Sequence, residues 1–355
     1  MKKLYTKWHA LVFLVILIGI VLSAWVLNSR PHYIAVNSAT FMTMGTFAQV
    51  QLRCDNQDVA KEAQARVMKV LQEIDRMMST YRDDSELSLV NRMAASEPIA
   101  VSPETFGILQ KAQHYSRISK GAFDITVSPL LSMWDEAKEK GIWPSQAELT
   151  EVLQKVGYQY LILSDEETCE VSFAREGIQL NVNAIAKGYV VDKALDAVRI
   201  PGVMAALVDI GGEIACFGQD QPGKDWVIGV QNPFSEDNDN PLSQSPFCLI
   251  RVSNMGVATS GDYRRYIELE GHKLSHIIDP RTGLPANKLP SVTVISPKAV
   301  DADALATAVS VLGIEDGLAL VESIPDTEAL LIAGTREKPQ EYFSSGFNKY
   351  KIGKM

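Results

Sequence analysis

The sequence is poor in positive charge: its 355 residues carry 34 Lys and Arg against 43 Asp and Glu, a formal net charge of −9. This balance argues against nucleic acid as a general partner, because phosphate binding needs a basic surface. The four cysteines (Cys54, Cys169, Cys216 and Cys248) contain no C-x-x-C pair, which disfavours thioredoxin-like chemistry and cysteine metal sites. Internal repeats and low-complexity tracts are also lacking, so the composition is that of a globular protein.

One long apolar run is present, at the N-terminus. Lys2, Lys3 and Lys7 precede an uncharged stretch from Trp8 to Ser29, and Arg30 closes it. The stretch has the ~20 residues that a helix needs to cross a bilayer, whereas a cleavable signal has an apolar core of only about 7–15. We therefore predict a membrane anchor over residues 1–30 with its N-terminus in the cytoplasm. A signal peptide cleaved near Ala24 is the alternative, and lipidation is disfavoured because the first cysteine is Cys54.

Beyond the anchor we expect a linker over residues 31–43, a folded domain over 44–340 and a tail over 341–355. Hydrophobic periodicity and turn residues predict helices and strands in mixed order, without a regular β-α-β alternation. This order favours the α+β class, with mixed or antiparallel sheets and packed helices. The main predicted elements are strands Phe47–Arg53, Ala205–Ile210, Trp226–Gln231, Ser291–Ser296 and Ala329–Ala333, helices Val67–Met78, Pro103–Lys120, Asn183–Ala197 and Val300–Leu312, and a hairpin of Tyr263–Leu269 and Leu274–Ile278 that turns at Glu270–Gly271.

The segment Gly121-Ala-Phe-Asp124 interrupts the core pattern. An aromatic–acid pair after a glycine suits a loop on which a flat ring can lie. The alternative is a purely structural turn in which Asp124 is a local cap.

A second interruption is the helix start around Lys187 and Gly188. Glycine inside a helix costs about 1 kcal/mol relative to alanine, so Gly188 indicates the close approach of another group. Lys187 opposes the helix dipole unless an anion such as phosphate binds there. An exposed lysine on a packed helix is the alternative.

The third feature consists of two segments, which offer phosphate-binding and base chemistry. Ala258-Thr-Ser-Gly261 supplies hydroxyls and backbone amides, as a phosphate-binding loop does. His276 is expected at the end of a strand, with Asp279-Pro280 turning the chain directly after it, where catalytic groups are often presented. A structural histidine remains the alternative.

The fourth segment is acidic. Asp303 and Thr307 are four residues apart and therefore share one face of a helix. Such hard oxygen ligands suit Mg²⁺, which proteins hold through one or two carboxylates with substrate phosphates completing the shell. Asp301, by contrast, is explained by the preference of acids for the first turn of a helix.

Taken together these segments resemble the ApbE-type FAD:protein FMN transferases, over about Met44 to Gly334. The resemblance is carried by motifs that occur in one order: Met44-Gly-Thr46, Ser79-Thr-Tyr81 with Ser85-Glu86 and Asn91, Gly121-Ala-Phe-Asp124, Ala186-Lys-Gly-Tyr189 with Asp192, Gly211-Gly212, Ala258-Thr-Ser-Gly261, His276-Ile-Ile-Asp-Pro-Arg-Thr-Gly283, and Ala302-Asp-Ala304 with Thr307.

The resemblance implies a role for each matching position. His276 is the candidate base, and the Mg²⁺ ligands are Asp303, Thr307 and the backbone oxygen of Ala184. The FAD site is lined by Met44, Tyr81, Ala122, Phe123, Asp124, Asn181, Lys187 and Ile278. Two positions depart from the family pattern: Asn181 stands where Asp is usual, and Ala306 where some members have a further carboxylate.

The resemblance also implies the reaction and its setting. FMN would pass from FAD to a Ser or Thr hydroxyl of an acceptor protein with Mg²⁺, and AMP would be released. Acceptors would be subunits of membrane redox complexes of the Nqr or Rnf type, met by a domain that faces the periplasm from the bacterial inner membrane. Hydrolysis of FAD to FMN and AMP, and non-catalytic FAD binding, are the alternative functions.

Overall fold

A nine-stranded antiparallel sheet forms the centre of the fold, in the order β1-β3-β7-β8-β11-β14-β15-β16, with β2 also paired to β3. The computed structural model describes residues 33–80, 82–235, 245–261 and 266–353, with 16, 18 and 19. The strands of this sheet are β1 Ile34–Asn37, β2 Phe41–Thr43, β3 Thr46–Cys54, β7 Val203–Ile210, β8 Glu213–Phe217, β11 Gly256–Gly261, β14 Ser291–Ser296, β15 Glu328–Gly334 and β16 Pro339–Phe343.

Three smaller antiparallel sheets surround the main one. They contain β4 Ile99–Ala100, β5 Leu161–Leu163 and β6 Glu170–Phe173; β9 Trp226–Val230, β10 Cys248–Val252 and β17 Lys351–Ile352; and the hairpin of β12 Tyr266–Leu269 and β13 His272–Ser275. The helices are α1 Gln57–Met78, α2 Glu86–Met93, α3 Pro103–Ile118, α4 Ser128–Lys140, α5 Gln146–Leu153, α6 Asn183–Ala197, α7 Ala299–Leu312 and α8 Ile314–Glu322. The predicted α+β class is confirmed, with antiparallel pairing throughout the described strands.

Five strands of the main sheet, β7, β8, β11, β14 and β15, are buried on both faces, and their alternate residues divide between two cores. In β15, Ala329 and Leu331 join the core beneath the helices, whereas Leu330 and Ile332 pack against the small sheet of β9 and β10. Helices α6 and α7 cover the first face, so their facing surfaces lie against the sheet and each other. This contact between α6 and α7 is where the polar residues of the site collect.

Two segments that the sequence predicts to lie outside the folded domain contain strands. The expected linker over residues 31–43 contains β1 and β2, which pair with opposite ends of β3. The expected tail over 341–355 contains most of β16 and all of β17, and Phe347 between them is fully buried. Short edge strands show too little alternation to be recognised from sequence, because backbone pairing rather than a buried face holds them.

The predicted membrane anchor, residues 1–30, lies outside the described residues except for 16, 18 and 19, which are helical. Among the residues that the structure describes, no helix is long and apolar enough to cross a membrane. The anchor therefore stays a prediction.

Candidate active site

Asp192 of α6 fixes the start of α7. Its two carboxylate oxygens accept hydrogen bonds from the backbone amides of Ala299 and Val300, each at 3.0 Å. The residue at the N-cap position, Lys298, makes no side-chain capping bond of its own. A carboxylate from a neighbouring helix thus satisfies two otherwise open N–H groups and locks the two helices together.

Gly188 lets α6 and α7 approach closely. A Cβ atom at this position would lie 2.4 Å from the carbonyl oxygen of Ala299, so no side chain fits. The Gly188 amide donates to Asp303 Oδ2 at 2.9 Å. The predicted close approach of another group at Gly188 is confirmed, and that group is helix α7.

Three charged side chains meet beside this contact. Lys187 Nζ is paired with Glu213 Oε1, and Glu213 is 3% exposed at the start of β8. Burial raises the pKa of Asp303 to about 7; the positive charge of Lys187 opposes this shift, and the negative charge of Glu213 adds to it. Lys187 therefore neutralises a protein carboxylate while its own side chain stays one-third exposed, at 33%.

The oxygen atoms in this region suit a hard cation. The amide that ordinarily bonds to the Ala184 carbonyl, four residues earlier in the helix, is the Gly188 amide that donates to Asp303. A backbone carbonyl has two lone pairs, so that of Ala184 keeps acceptor capacity for a cation. The region also contains a buried carboxylate oxygen, Glu213 Oε2, without a hydrogen-bond partner among the described residues.

Asp303, Thr307 and Ala184 therefore offer the carboxylate, hydroxyl and carbonyl oxygens that Mg²⁺ accepts. In the described part of the chain, no group of three or more His, Cys, Asp or Glu residues could hold a metal. This finding does not conflict with the predicted site, which has one carboxylate, because substrate phosphates supply further oxygens.

Thr307 and Asp301 have different surroundings on the same helix. The hydroxyl of Thr307 lies 3.4 Å from that of Ser260 in β11, so the Ala258–Gly261 segment reaches the predicted metal site. Asp301 instead pairs with Lys111 of α3 at 2.6 Å. Ala306, where some members of the resembled family carry an acid, is fully buried in the core.

Asp124 accepts hydrogen bonds with both of its oxygens, one within its own turn and one from a distant part of the chain. Oδ1 accepts from the amide and hydroxyl of Thr126, each at 2.8 Å, and Oδ2 accepts from the Tyr158 amide at 2.6 Å. Burial raises the pKa of this carboxyl, although these hydrogen bonds lower it. The contacts of Asp124 are therefore those expected of a structural cap. Ala122 and Phe123 beside it are both 1% exposed.

His276 follows β13 directly and is half-buried. Its flanking residues are held by a second strip of chain: the Ser275 amide donates to Asn287 Oδ1 at 2.6 Å, and the Ile277 carbonyl accepts from Ala286 at 2.8 Å. Ile278, 4% exposed, forms a β-bridge with Pro285. The backbone on both sides of His276 is thus held by pairing with residues 285–287.

Asp279 closes this loop. Its carboxylate binds the Arg281 guanidinium at 2.9 and 2.8 Å, and its backbone carbonyl accepts from Gly283. Gly283 has φ of +73°, and a Cβ there would lie 2.4 Å from Leu149 Cδ1. The predicted turn after His276 is confirmed, and the carboxylate three residues away shapes the turn.

The fold joins the separate sequence segments. Ala122 and Ile277 pack in one small cluster with Val311 of α7, so the Gly121–Asp124 and His276–Gly283 segments meet against the helix that carries Asp303. The Asn181 amide donates to the Ile125 carbonyl at 2.7 Å, which ties the start of α6 to the Asp124 turn. Asn181 Oδ1 accepts from the Asn183 amide, so this departure from the family pattern acts as a local cap.

The β2–β3 hairpin tip reaches the same region. Met44 and Gly45 both have positive φ, at 48° and 69°, and a left-handed methionine is unusual in a turn. Thr46, the next residue, lies against Gly211, where a Cβ would be 2.8 Å from the Thr46 hydroxyl. Gly211 and Gly212 lead directly into Glu213. Tyr81, the remaining predicted FAD contact, lies outside the described residues.

Sequence reasoning missed Asp192 and Glu213 as parts of this site. The sequence marks Asp192 only as a position of the family motif, and it gives Glu213 no predicted role. Charge alone does not reveal either residue, because their partners, Ala299 and Lys187, are distant in sequence. The available signal was Gly211-Gly212 before an acid at the start of an otherwise apolar strand.

Replacing Gly188 with alanine is expected to destabilise the fold by about 1–3 kcal/mol, because overpacking displaces α7. The normal effect of this substitution inside a helix is a gain of about 1 kcal/mol. Urea unfolding of the full-length protein measures the difference. Gly107→Ala in α3 is the matched control, since a Cβ there meets nothing within 4 Å. A stabilised Gly188→Ala variant would show that the α6–α7 contact is loose.

Asp192 predicts a specific dependence of stability on pH. Burial raises its pKa from 3.8 to about 6, so the folded state binds this proton more tightly than the unfolded state. Its contribution to stability is therefore greatest below pH 3.8 and decreases as pH rises through about 6. The stability advantage of wild type over Asp192→Asn should shrink by about 1.4 kcal/mol per pH unit at most in this window.

Urea unfolding of both proteins at pH 4, 5, 6 and 7 measures this change. An advantage that grows with pH would mean that the two capping hydrogen bonds outweigh burial.

Comparison with known proteins identifies the group to which this chain belongs. Residues 44–331 match the model of the ApbE family. A Vibrio cholerae FAD:protein FMN transferase is 36% identical over 82% of this chain and 85% of its own length. A Treponema pallidum FAD:protein FMN transferase is 31% identical over 94% and 92%.

Solved structures agree. The flavin transferase ApbE of Vibrio cholerae, 32% identical, covers 89% of this chain and 100% of its own with a TM-score of 0.76. The apo flavinyl transferase ApbE of Pseudomonas stutzeri, 29% identical, covers 89% and 96% with a TM-score of 0.75. The family match spans the strands and helices that carry Lys187, His276 and Asp303. The chain belongs to the ApbE family.

Proposed function

We propose that this chain transfers the FMN half of FAD to a Ser or Thr hydroxyl of an acceptor protein, in a Mg²⁺-dependent reaction that releases AMP. The observation that carries the proposal is the contact between α6 and α7, which brings Lys187 next to the buried carboxylate of Asp303. A cation and oxygen ligands at one place are what a pyrophosphate with its metal ion requires. The relatives named FAD:protein FMN transferase support the same chemistry.

Each of the chain's own groups has a role in this proposal. Asp303, Thr307 and the Ala184 carbonyl would hold Mg²⁺, which would supply positive charge against the FAD phosphates. Lys187 would bind the pyrophosphate from its exposed side. Positioning and charge stabilisation dominate phosphoryl transfer, so these groups carry most of the rate enhancement.

His276 would act as the general base. It takes the proton of the acceptor hydroxyl while that oxygen bonds to the FMN phosphorus, and the bond from this phosphorus to the AMP oxygen breaks. AMP leaves with the electron pair of that bond. The bond from the Ser275 amide to Asn287 holds the backbone next to His276, which supports a fixed position for a general base.

The setting is part of the proposal. We infer that the segment 1–30 holds the protein in the bacterial inner membrane and that the domain faces the periplasm. Acceptors would be subunits of membrane redox complexes of the Nqr or Rnf type. The apolar run from Trp8 to Ser29, preceded by three lysines, supports this orientation.

Incubation of the full-length protein in detergent with FAD, Mg²⁺ and a candidate acceptor tests the function. In-gel flavin fluorescence on the acceptor, with one AMP released per label, is the expected result. AMP release with no labelled acceptor would support FAD hydrolysis instead, and intact bound FAD would support a carrier.

A further inference from the structure

Glu213 is a buried acid whose second oxygen has no assigned task. Its Oε1 is paired with Lys187, and the residue is 3% exposed. Oε2 is one of two buried side-chain polar atoms, with Ser291 Oγ, that have no hydrogen-bond partner within the described residues. Leaving a buried carboxylate oxygen without a donor is costly, so a donor is expected when the site is in use.

The position of Glu213 indicates which donor this is. Glu213 is paired with Lys187, and the chain positions Lys187 directly before Gly188, which bonds to Asp303 at 2.9 Å, so all three charged side chains lie in one cluster. Mg²⁺ keeps several of its waters when proteins bind it, and carboxylates outside the ligand shell accept hydrogen bonds from such waters.

We propose that Glu213 is a positioning residue of the transfer site, which holds Lys187 through Oε1 and accepts a hydrogen bond from the cation's hydration shell through Oε2. The inference rests on the proposed function, because it assumes a Mg²⁺ site at Asp303. It adds a second carboxylate to that site, outside the direct ligands. This acid also offsets the repulsion between Lys187 and the cation.

The two members of the ion pair should then have opposite effects on cation binding. Removing the negative charge of Glu213 weakens the attraction for a cation, whereas removing the positive charge of Lys187 relieves repulsion. If the pair served only the fold, loss of either partner would act in the same direction. This difference in sign separates the proposal from a structural role.

The test measures Mn²⁺ binding to the full-length protein, in the absence of FAD, by electron paramagnetic resonance. Glu213→Gln keeps the shape of the side chain and is expected to weaken Mn²⁺ binding tenfold or more. Lys187→Met should bind Mn²⁺ as tightly as wild type or more tightly. Glu315→Gln, at an exposed position of α8, is the charge-matched control and should leave binding unchanged. Thermal unfolding checks that each variant is folded.

Three results would overturn the proposal: a change of less than twofold in Glu213→Gln, equal weakening by Glu213→Gln and Lys187→Met, or no Mn²⁺ binding by the wild type. Should Glu213→Gln be unfolded, Glu213→Asp replaces it, since it keeps the charge but shortens the reach to the hydration shell. Binding by this variant must still be weaker than in wild type. The readout is independent of transfer: a wild type that binds Mn²⁺ through Glu213 but labels no acceptor refutes only the proposed function.

Discussion

Replacing His276 with alanine is expected to lower the rate of acceptor labelling by about 10²- to 10⁴-fold, the usual contribution of a general base. FAD binding should persist, because the loop that carries His276 is held by the bond from the Ser275 amide to the Asn287 side chain and by the bond from the Ala286 amide to the Ile277 carbonyl, and the substitution leaves both in place. The labelling rate is measured by in-gel flavin fluorescence with saturating FAD and Mg²⁺. FAD affinity is measured separately by fluorescence quenching.

His272 provides the matched control. It begins β13, the strand that leads into His276, is exposed, and contacts Trp143 at a ring separation of 6.1 Å. His272→Ala should label the acceptor at the wild-type rate. Full labelling by His276→Ala would eliminate the base assignment, and equal losses in both variants would point to damage of the hairpin rather than of the chemistry.

Replacing Asp303 with asparagine is expected to lower the rate of acceptor labelling by about a hundredfold or more and to remove the dependence of that rate on Mg²⁺. Asparagine keeps an oxygen that can accept from the Gly188 amide, so the α6–α7 contact should survive. The substitution removes the buried Asp303 carboxyl, whose pKa is raised to about 7. The variant should therefore be at least as stable as wild type above that pH, since an ionised carboxylate there is costly.

Asp301→Asn is the control for this variant. Asp301 lies on the same turn of α7 but pairs with Lys111, and an ion pair of this kind contributes little, so labelling should stay within about threefold of wild type. Titration of Mg²⁺ against the labelling rate distinguishes the two variants. Persistent saturation by Mg²⁺ in Asp303→Asn would place the metal elsewhere.

The close packing around the predicted metal site and the predicted base requires glycine at two positions. Gly188 and Gly283 both occupy positions where a Cβ would lie 2.4 Å from another residue. At Gly188 the neighbour is the backbone of α7, and at Gly283 it is Leu149, against which the turn after His276 packs. Steric exclusion at these two positions keeps the predicted metal site and the predicted base in fixed places.

Much of the fold follows from local signals. The predicted bounds of α6, Asn183–Ala197, and of β14, Ser291–Ser296, agree with the structure. The turn at Glu270 and Gly271 is also confirmed, because both residues have positive φ, as a two-residue hairpin loop requires. In each case periodicity or turn chemistry is contained within a short stretch. The edge strands β1, β2 and β17 lack such a signal, and sequence reasoning placed them in a linker and a tail.

The sequence by itself predicted the family, the placement of Asp303 and Thr307 on one face of α7, and a histidine at the exit of a strand. It could do so because these features are spacings along one element. Only the tertiary structure decided that Asp124 accepts a hydrogen bond from the distant Tyr158 amide, that Asp192 caps α7, and that Glu213 neutralises Lys187. These outcomes depend on which polar groups meet after burial, and a buried polar group takes whatever partner the packed chain provides.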